Sequence, residues 1–97
     1  MEAKATFQAW KEDEKGLHKD FQFKYFDRAL SFIVHAGRLA RAANHHPDFD
    51  LRYNKLCVTL ITHSEAKVTE KDRALSIAID QITVEQIEEG ARWLQSH

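Results

Sequence analysis

The sequence predicts an α+β domain, with an antiparallel four-stranded sheet built from two hairpins and helices packed on one face. Three observations carry this. Residues 17–23 and 56–62 alternate apolar and polar side chains, the period of a half-buried strand. Residues 25–43 repeat apolar side chains at spacings of three and four, the period of a helix packed on a sheet. Thr69 and Thr83 each stand three residues before a side chain that can complete a capping box, Asp72 and Gln86, so two more helices begin there.

In chain order, residues 7–11 read as a short strand, and the polar stretch 12–16 ends on Gly16, which can take the positive φ of a turn. Leu17, Phe21 and Phe23 share one face of the next strand, so Trp10 and Leu17 fall in one hairpin. On the long helix, Phe26, Ala29, Leu30, Ile33, Gly37 and Ala40 form one stripe, and Phe32, Ala36, Leu39 and Ala43 a second. Gly37 costs about 1 kcal/mol against Ala in a helix, which a close backbone approach would justify. Asn44 and Pro47 stop this helix. Residues 49–53 form a short strand, Asn54 and Lys55 a turn, and 56–62 the strongest strand, rich in β-branched residues. Leu75, Ala78, Ile79 and Ile82 then line one helix face, and Val84, Ile87, Ala91 and Leu94 the last.

Ninety-seven residues make one domain, small enough that self-association would help it. Fourteen basic against fifteen acidic residues leave no excess to neutralise phosphates, so no direct nucleic-acid partner is expected. One cysteine, Cys57, rules out an internal disulfide framework and suits a reducing compartment; it reads as a small buried hydrophobe. With no apolar stretch near the roughly 20 residues of a membrane span and no signal-peptide core, the expectation is a cytoplasmic protein without membrane contact.

The stretch NHHPDFDLRYNKLCVTLITHSEAKVTEKD, residues 44–72, holds three of the six histidines, His45, His46 and His63. Imidazoles titrate near neutral pH, so two or three around one pocket can deliver one proton and remove another. Polar loop residues and a three-histidine zinc site are the other readings. Adjacent histidines are awkward ligands for one metal, and no HExxH spacing or further ligand cluster accompanies them. A Gly-rich phosphate loop and a GxSxG elbow are both absent.

His45-His46-Pro47, Tyr53, His63 and Asp72, with FQFKYFDRALSFIVHAG, YNKLCVTLITH and TEKD around them, resemble the pterin-4a-carbinolamine dehydratases over about residues 10–82. The resemblance implies a hydro-lyase that converts 4a-hydroxytetrahydrobiopterin to quinonoid dihydropterin and water. This step recycles the cofactor of aromatic amino-acid hydroxylases. It implies no metal or organic cofactor, and a homodimer or homotetramer. Carried over, His45 and His63 do the acid–base work. His46 binds the pterin and shares in proton transfer. Asn44, Thr62 and Ser64 contact the ring, Asp72 takes the family's acidic position, and Tyr53 serves packing. As a first-turn carboxylate, Asp72 also stabilises its helix by about 0.3–1 kcal/mol.

Three features depart from the family pattern. Arg41 stands where an acidic or polar acceptor usually precedes the histidines. Ser64-Glu65-Ala66-Lys67 replaces a glycine-containing turn. The usual N-terminal helix is nearly missing, while residues 83–97 add a capped helix, of which 84–95 are expected to fill that helix's place, within the subunit or across to a neighbour. The rival function, of another class, is a non-enzymatic binding module that alters a transcription factor's dimerisation.

Overall fold

A computed structural model describes residues 9–97. The elements run β1 (Lys11–Asp13), β2 (Gly16–Gln22), α1 (Phe26–Ala43), β3 (Asp48–Arg52), β4 (Lys55–Leu60), α2 (Glu70–Asp80) and α3 (Val84–Ser96). The strands form one antiparallel sheet in the order β1-β2-β4-β3, the expected α+β architecture. No helix among the described residues is long and apolar enough to cross a membrane.

Alternation decides which face of the sheet is covered. Leu17, Phe21, Leu56, Val58 and Leu60 are buried against Ala29, Phe32, Ala36 and Ala40 of α1. Phe21 and Phe23 pack their rings on Phe32 at 4.7 and 5.2 Å. Leu75 and Ile79 of α2 complete this core. α3 lies on α1 of the same chain, with Ile87 and Ala91 buried. A two-pronged pair from Arg28 to Glu88, at 2.5 and 2.7 Å, ties the two helices together. Val84 and Leu94, expected in the buried stripe, are exposed and half-buried; the buried residues of α3 are Ile87 and Ala91.

Several local expectations shift. The first strand lies at 11–13 rather than 7–11, and residues 7 and 8 fall outside the described part of the chain. Gly16 sets this register. Its φ is +129°, and a Cβ there would fall 2.6 Å from the Leu60 carbonyl oxygen, so strand pairing resumes at this glycine. The second hairpin turns at Tyr53-Asn54, not Asn54-Lys55, because Arg52 pairs with Lys55. Tyr53 therefore takes a positive φ of 56° and is exposed, where packing was expected. Cys57 is half-buried on the face away from the helices, not in the core. Nothing lies within 4 Å of a Cβ placed on Gly37; the close helix approach is at Gly90 instead. Lys19 is buried among apolar side chains. Its ammonium lies 2.9 Å from Asp80 and over the rings of Phe21 and Trp10, which together offset its desolvation.

Candidate active site

The fold brings the motif together at one end of the β3–β4 hairpin. α1 stops at Asn44, whose φ of 51° and ψ of 44° are left-handed, and the His45 amide donates back to the Ala40 carbonyl at 3.1 Å. Pro47 cannot continue a helix, so His45 and His46 occupy the short exit before β3. At the far end of β4, Thr62 pairs with Lys67 across a tight turn that holds His63 and Ser64. α2 begins beside this turn.

The core of the site is a buried carboxylate. Asp72 is fully buried in the first turn of α2. One carboxylate oxygen lies 2.5 Å from His45 Nε2. The other accepts from the Thr62 hydroxyl at 2.8 Å and from the Thr69 backbone amide at 2.9 Å. The Thr62 and Thr69 hydroxyls are 2.6 Å apart, which closes the network. Burial pushes the Asp72 carboxyl up. The hydrogen bonds from His45, Thr69 and Thr62 outweigh it and hold the group below the usual carboxylate range. An ionised carboxylate only accepts, so His45 donates through Nε2, and its Nδ1 is left as the basic nitrogen. Carboxylate support for the histidine thus comes from α2, across 27 residues, and not from the α1 position held by Arg41.

His63 lies in the open, 73% exposed, with Nε2 3.9 Å from an Asp48 oxygen. This contact joins the β4 end to the residue after His-His-Pro. The side chains of His46, Ser64 and Asn44 are exposed, and no side-chain hydrogen bond joins them to the Asp72 network among the described residues. Thr62 is 4% exposed, with its hydroxyl engaged by Asp72 and Thr69. Sequence reasoning missed Thr69 and Asp48 as members of the site. The signals were present, since Thr69 is the N-cap that Asp72 answers and Asp48 directly follows Pro47.

The arrangement offers two imidazoles of different character: one gripped by a buried carboxylate, the other solvated. Such a pair can remove a proton at one atom and supply one at another. No group of three or more metal-ligating side chains exists among the described residues. Cys57 offers no ready nucleophile, because burial and a hydrogen bond with Asp20 push its thiol above its ordinary value.

Known proteins resemble this chain in family and in fold. The family model described as pterin 4 alpha carbinolamine dehydratase matches residues 1–82. A protein of Chloroflexus aurantiacus, provisionally named pterin-4-alpha-carbinolamine dehydratase, is 42% identical over 73 residues, covering 75% of this chain and 78% of that protein. One of Chloroflexus aggregans with the same provisional name is 44% identical over 71 residues, covering 73% and 76%. A crystal structure of a transcriptional coactivator/pterin dehydratase from Brucella melitensis superposes with a TM-score of 0.69 at 34% identity, over 73% of this chain and 78% of that one. A pterin dehydratase-like RuBisCO assembly factor of the alpha-carboxysome shares the fold at 22% identity and a TM-score of 0.64, over 76% and 88%. The chain belongs to the pterin-4-alpha-carbinolamine dehydratase family.

Proposed function

We propose that this protein dehydrates 4a-hydroxytetrahydrobiopterin to quinonoid dihydropterin in the recycling of tetrahydrobiopterin, by histidine acid–base catalysis and without metal. The hydrogen bond between His45 and the buried Asp72 carries the proposal. The reaction breaks the C4a–O bond, takes the N5 proton and forms the C4a–N5 double bond; the hydroxyl leaves as water once it gains a proton. His45, donating through Nε2 to Asp72, takes the N5 proton on Nδ1. His63, open to solvent, delivers a proton to the leaving hydroxyl; His45 then releases its gained proton to solvent and His63 takes one up, which resets both. His46 holds the pterin, with Asn44 and Ser64 beside it. Asp72 and Thr62 act through His45, fixing its tautomer and orientation. The test is turnover of chemically generated 4a-hydroxytetrahydropterin, with the uncatalysed rate subtracted and a chelator arm included.

The Brucella relative is described as both a transcriptional coactivator and a pterin dehydratase, which keeps a protein-binding module as the second reading; such a module gives no turnover. Residues 83–97 form a helical extension to a single dehydratase-like domain. The family match ends at Ile82, one residue before the Thr83 N-cap, which supports this boundary. The small core and the uncovered sheet face favour a homodimer or homotetramer, and sedimentation at micromolar concentration should show no free monomer.

A further inference from the structure

The chain carries the same capping motif twice, and the two copies are used differently. Thr83 closes its box within α3. Its hydroxyl accepts from the Gln86 amide at 3.1 Å, and its own amide donates to the Gln86 side chain at 2.8 Å. Thr69 forms the matching box with Asp72 at the start of α2. Its hydroxyl also reaches out of the helix to the end of β4, where it lies 2.6 Å from the hydroxyl of Thr62.

Only one direction of donation is possible across this contact. The Asp72 carboxylate accepts and cannot donate, so the single Thr62 hydroxyl hydrogen goes to Asp72 Oδ2, at 2.8 Å. Thr62 has no hydrogen left to give, and Thr69 must be the donor between the two hydroxyls. The bonds therefore run from Thr69 to Thr62 to Asp72, each donation polarising the next. Asp72 Oδ2 holds two donors, the Thr62 hydroxyl and the Thr69 amide, and Oδ1 is left to His45 Nε2. Thr69 thus fastens Oδ2 twice, directly through its amide and at one remove through its hydroxyl. Asp72 is fully buried and Thr62 nearly so, which leaves water little access to replace a lost donor.

From this geometry we infer that Thr69 is a positioning residue for His45. Its hydroxyl keeps the Thr62 hydrogen turned onto Asp72, and this keeps the carboxylate aimed at Nε2. The cap of α2 and the support of the histidine are one network, so the first turn of this helix belongs to the site. The effect on turnover rests on the dehydratase reading; the effect on the His45–Asp72 bond does not.

Four variants of the intact chain separate positioning from capping. Thr69→Val removes cap and hydroxyl together. Thr69→Gly removes the hydroxyl but leaves a residue that is itself favoured at an N-cap, and Thr69→Ser keeps both. Thr83→Val removes the equivalent cap from α3. The first readout is exchange of the His45 ring Nε2–H with solvent, followed by proton NMR. Exchange should quicken at least about tenfold in Thr69→Val and Thr69→Gly, because a loosened carboxylate lets the bond open more often. It should keep the wild-type rate in Thr69→Ser and Thr83→Val. The second readout is kcat for chemically generated 4a-hydroxytetrahydropterin. It should fall about 10–100-fold in Thr69→Val and Thr69→Gly, the usual scale for losing an outer partner that orients a histidine, with KM little changed. In an Asp72→Asn background, adding Thr69→Val should lower kcat no further, because Thr69 acts only through that carboxylate. Wild-type exchange in both Thr69→Val and Thr69→Gly overturns the inference. So does an equal rise in Thr83→Val, or a further fall in kcat when Thr69→Val is added to Asp72→Asn. Faster exchange in the two Thr69 variants of a chain whose wild type shows no turnover would support the positioning and count against the dehydratase reading.

Discussion

Replacing Asp72 by Asn changes one oxygen to an NH2 group and keeps the volume. The carboxylate now accepts from three donors: His45 Nε2, the Thr62 hydroxyl and the Thr69 amide. An amide has a single oxygen. If that oxygen stays with Thr62 and Thr69, the NH2 faces His45 and forces Nε2 to accept, which puts the imidazole proton on Nδ1. The proposed base is then in the wrong tautomer. If the amide flips, its NH2 meets the Thr69 amide donor to donor. Either way one charge-assisted bond is lost in a fully buried place, at a cost of about 1.5–3 kcal/mol. At about 4–8 °C per kcal/mol for a domain this size, Tm should drop by roughly 6 °C or more. Turnover should fall by about 10²–10⁴-fold, the usual scale of lost acid–base catalysis. The deficit should also depend on pH. The folded Asp72 carboxyl lies below its ordinary value, so the stability it contributes is fully present above the unfolded value, about 3.9, and is lost as pH falls through the folded value. The Tm difference between wild type and Asp72→Asn should therefore hold steady above about pH 5 and shrink below about pH 4. Calorimetric melts across this range and rates near neutrality are the measurements. A variant with wild-type rate and Tm would refute the assignment of Asp72 to the His45 tautomer.

Further expectations follow the same geometry. His45→Ala and His63→Ala should each lower kcat by about 10²–10⁴-fold, while His46→Ala should affect KM at least as much, as steady-state rates corrected for the spontaneous reaction would show. Ending the chain after Ile82 should lower Tm and expose dye-binding surface on α1, because Ile87 alone, fully buried, contributes about 1.5–3 kcal/mol. The two helical glycines should respond oppositely in denaturant melts. Gly37→Ala meets open space and should stabilise by about 0.8–1 kcal/mol, whereas Gly90→Ala drives a methyl into Ser31 and should destabilise by about 1–3 kcal/mol.

What could be read from the sequence was local. α1 was legible within a residue at each end, because two apolar stripes and the Asn44 stop are properties of consecutive residues. The N-caps at Thr69 and Thr83 were legible for the same reason. The turn of the second hairpin was missed by one residue. Whether a two-residue loop falls at 53–54 or 54–55 depends on which strand residues pair, and that is settled by the partner strand. Lys19 received no place in the sequence reading, although it stands between Leu17 and Phe21 on the buried face. Its neutralising partner, Asp80, is 61 residues away and arrives only with α2. The close approach was expected at Gly37, since nothing local distinguishes it from Gly90; the crossing of α1 and α3 selects the latter. At the site, histidine chemistry suggested acid–base work but left other readings open, and family resemblance chose among them. That Asp72 would be wholly buried and shared among His45, Thr62 and Thr69 depended on three chain segments meeting.

The central claim is dehydration by His45 backed by Asp72. It is tested most directly by the pre-steady-state loss of chemically generated 4a-hydroxytetrahydropterin at neutral pH, with chelator present, comparing wild type with His45→Ala. Acceleration above the spontaneous rate by wild type, undiminished by chelator and reduced at least about 10²-fold in His45→Ala, is the predicted result. A wild-type protein that leaves the spontaneous rate unchanged, or a His45→Ala variant as fast as wild type, would contradict it.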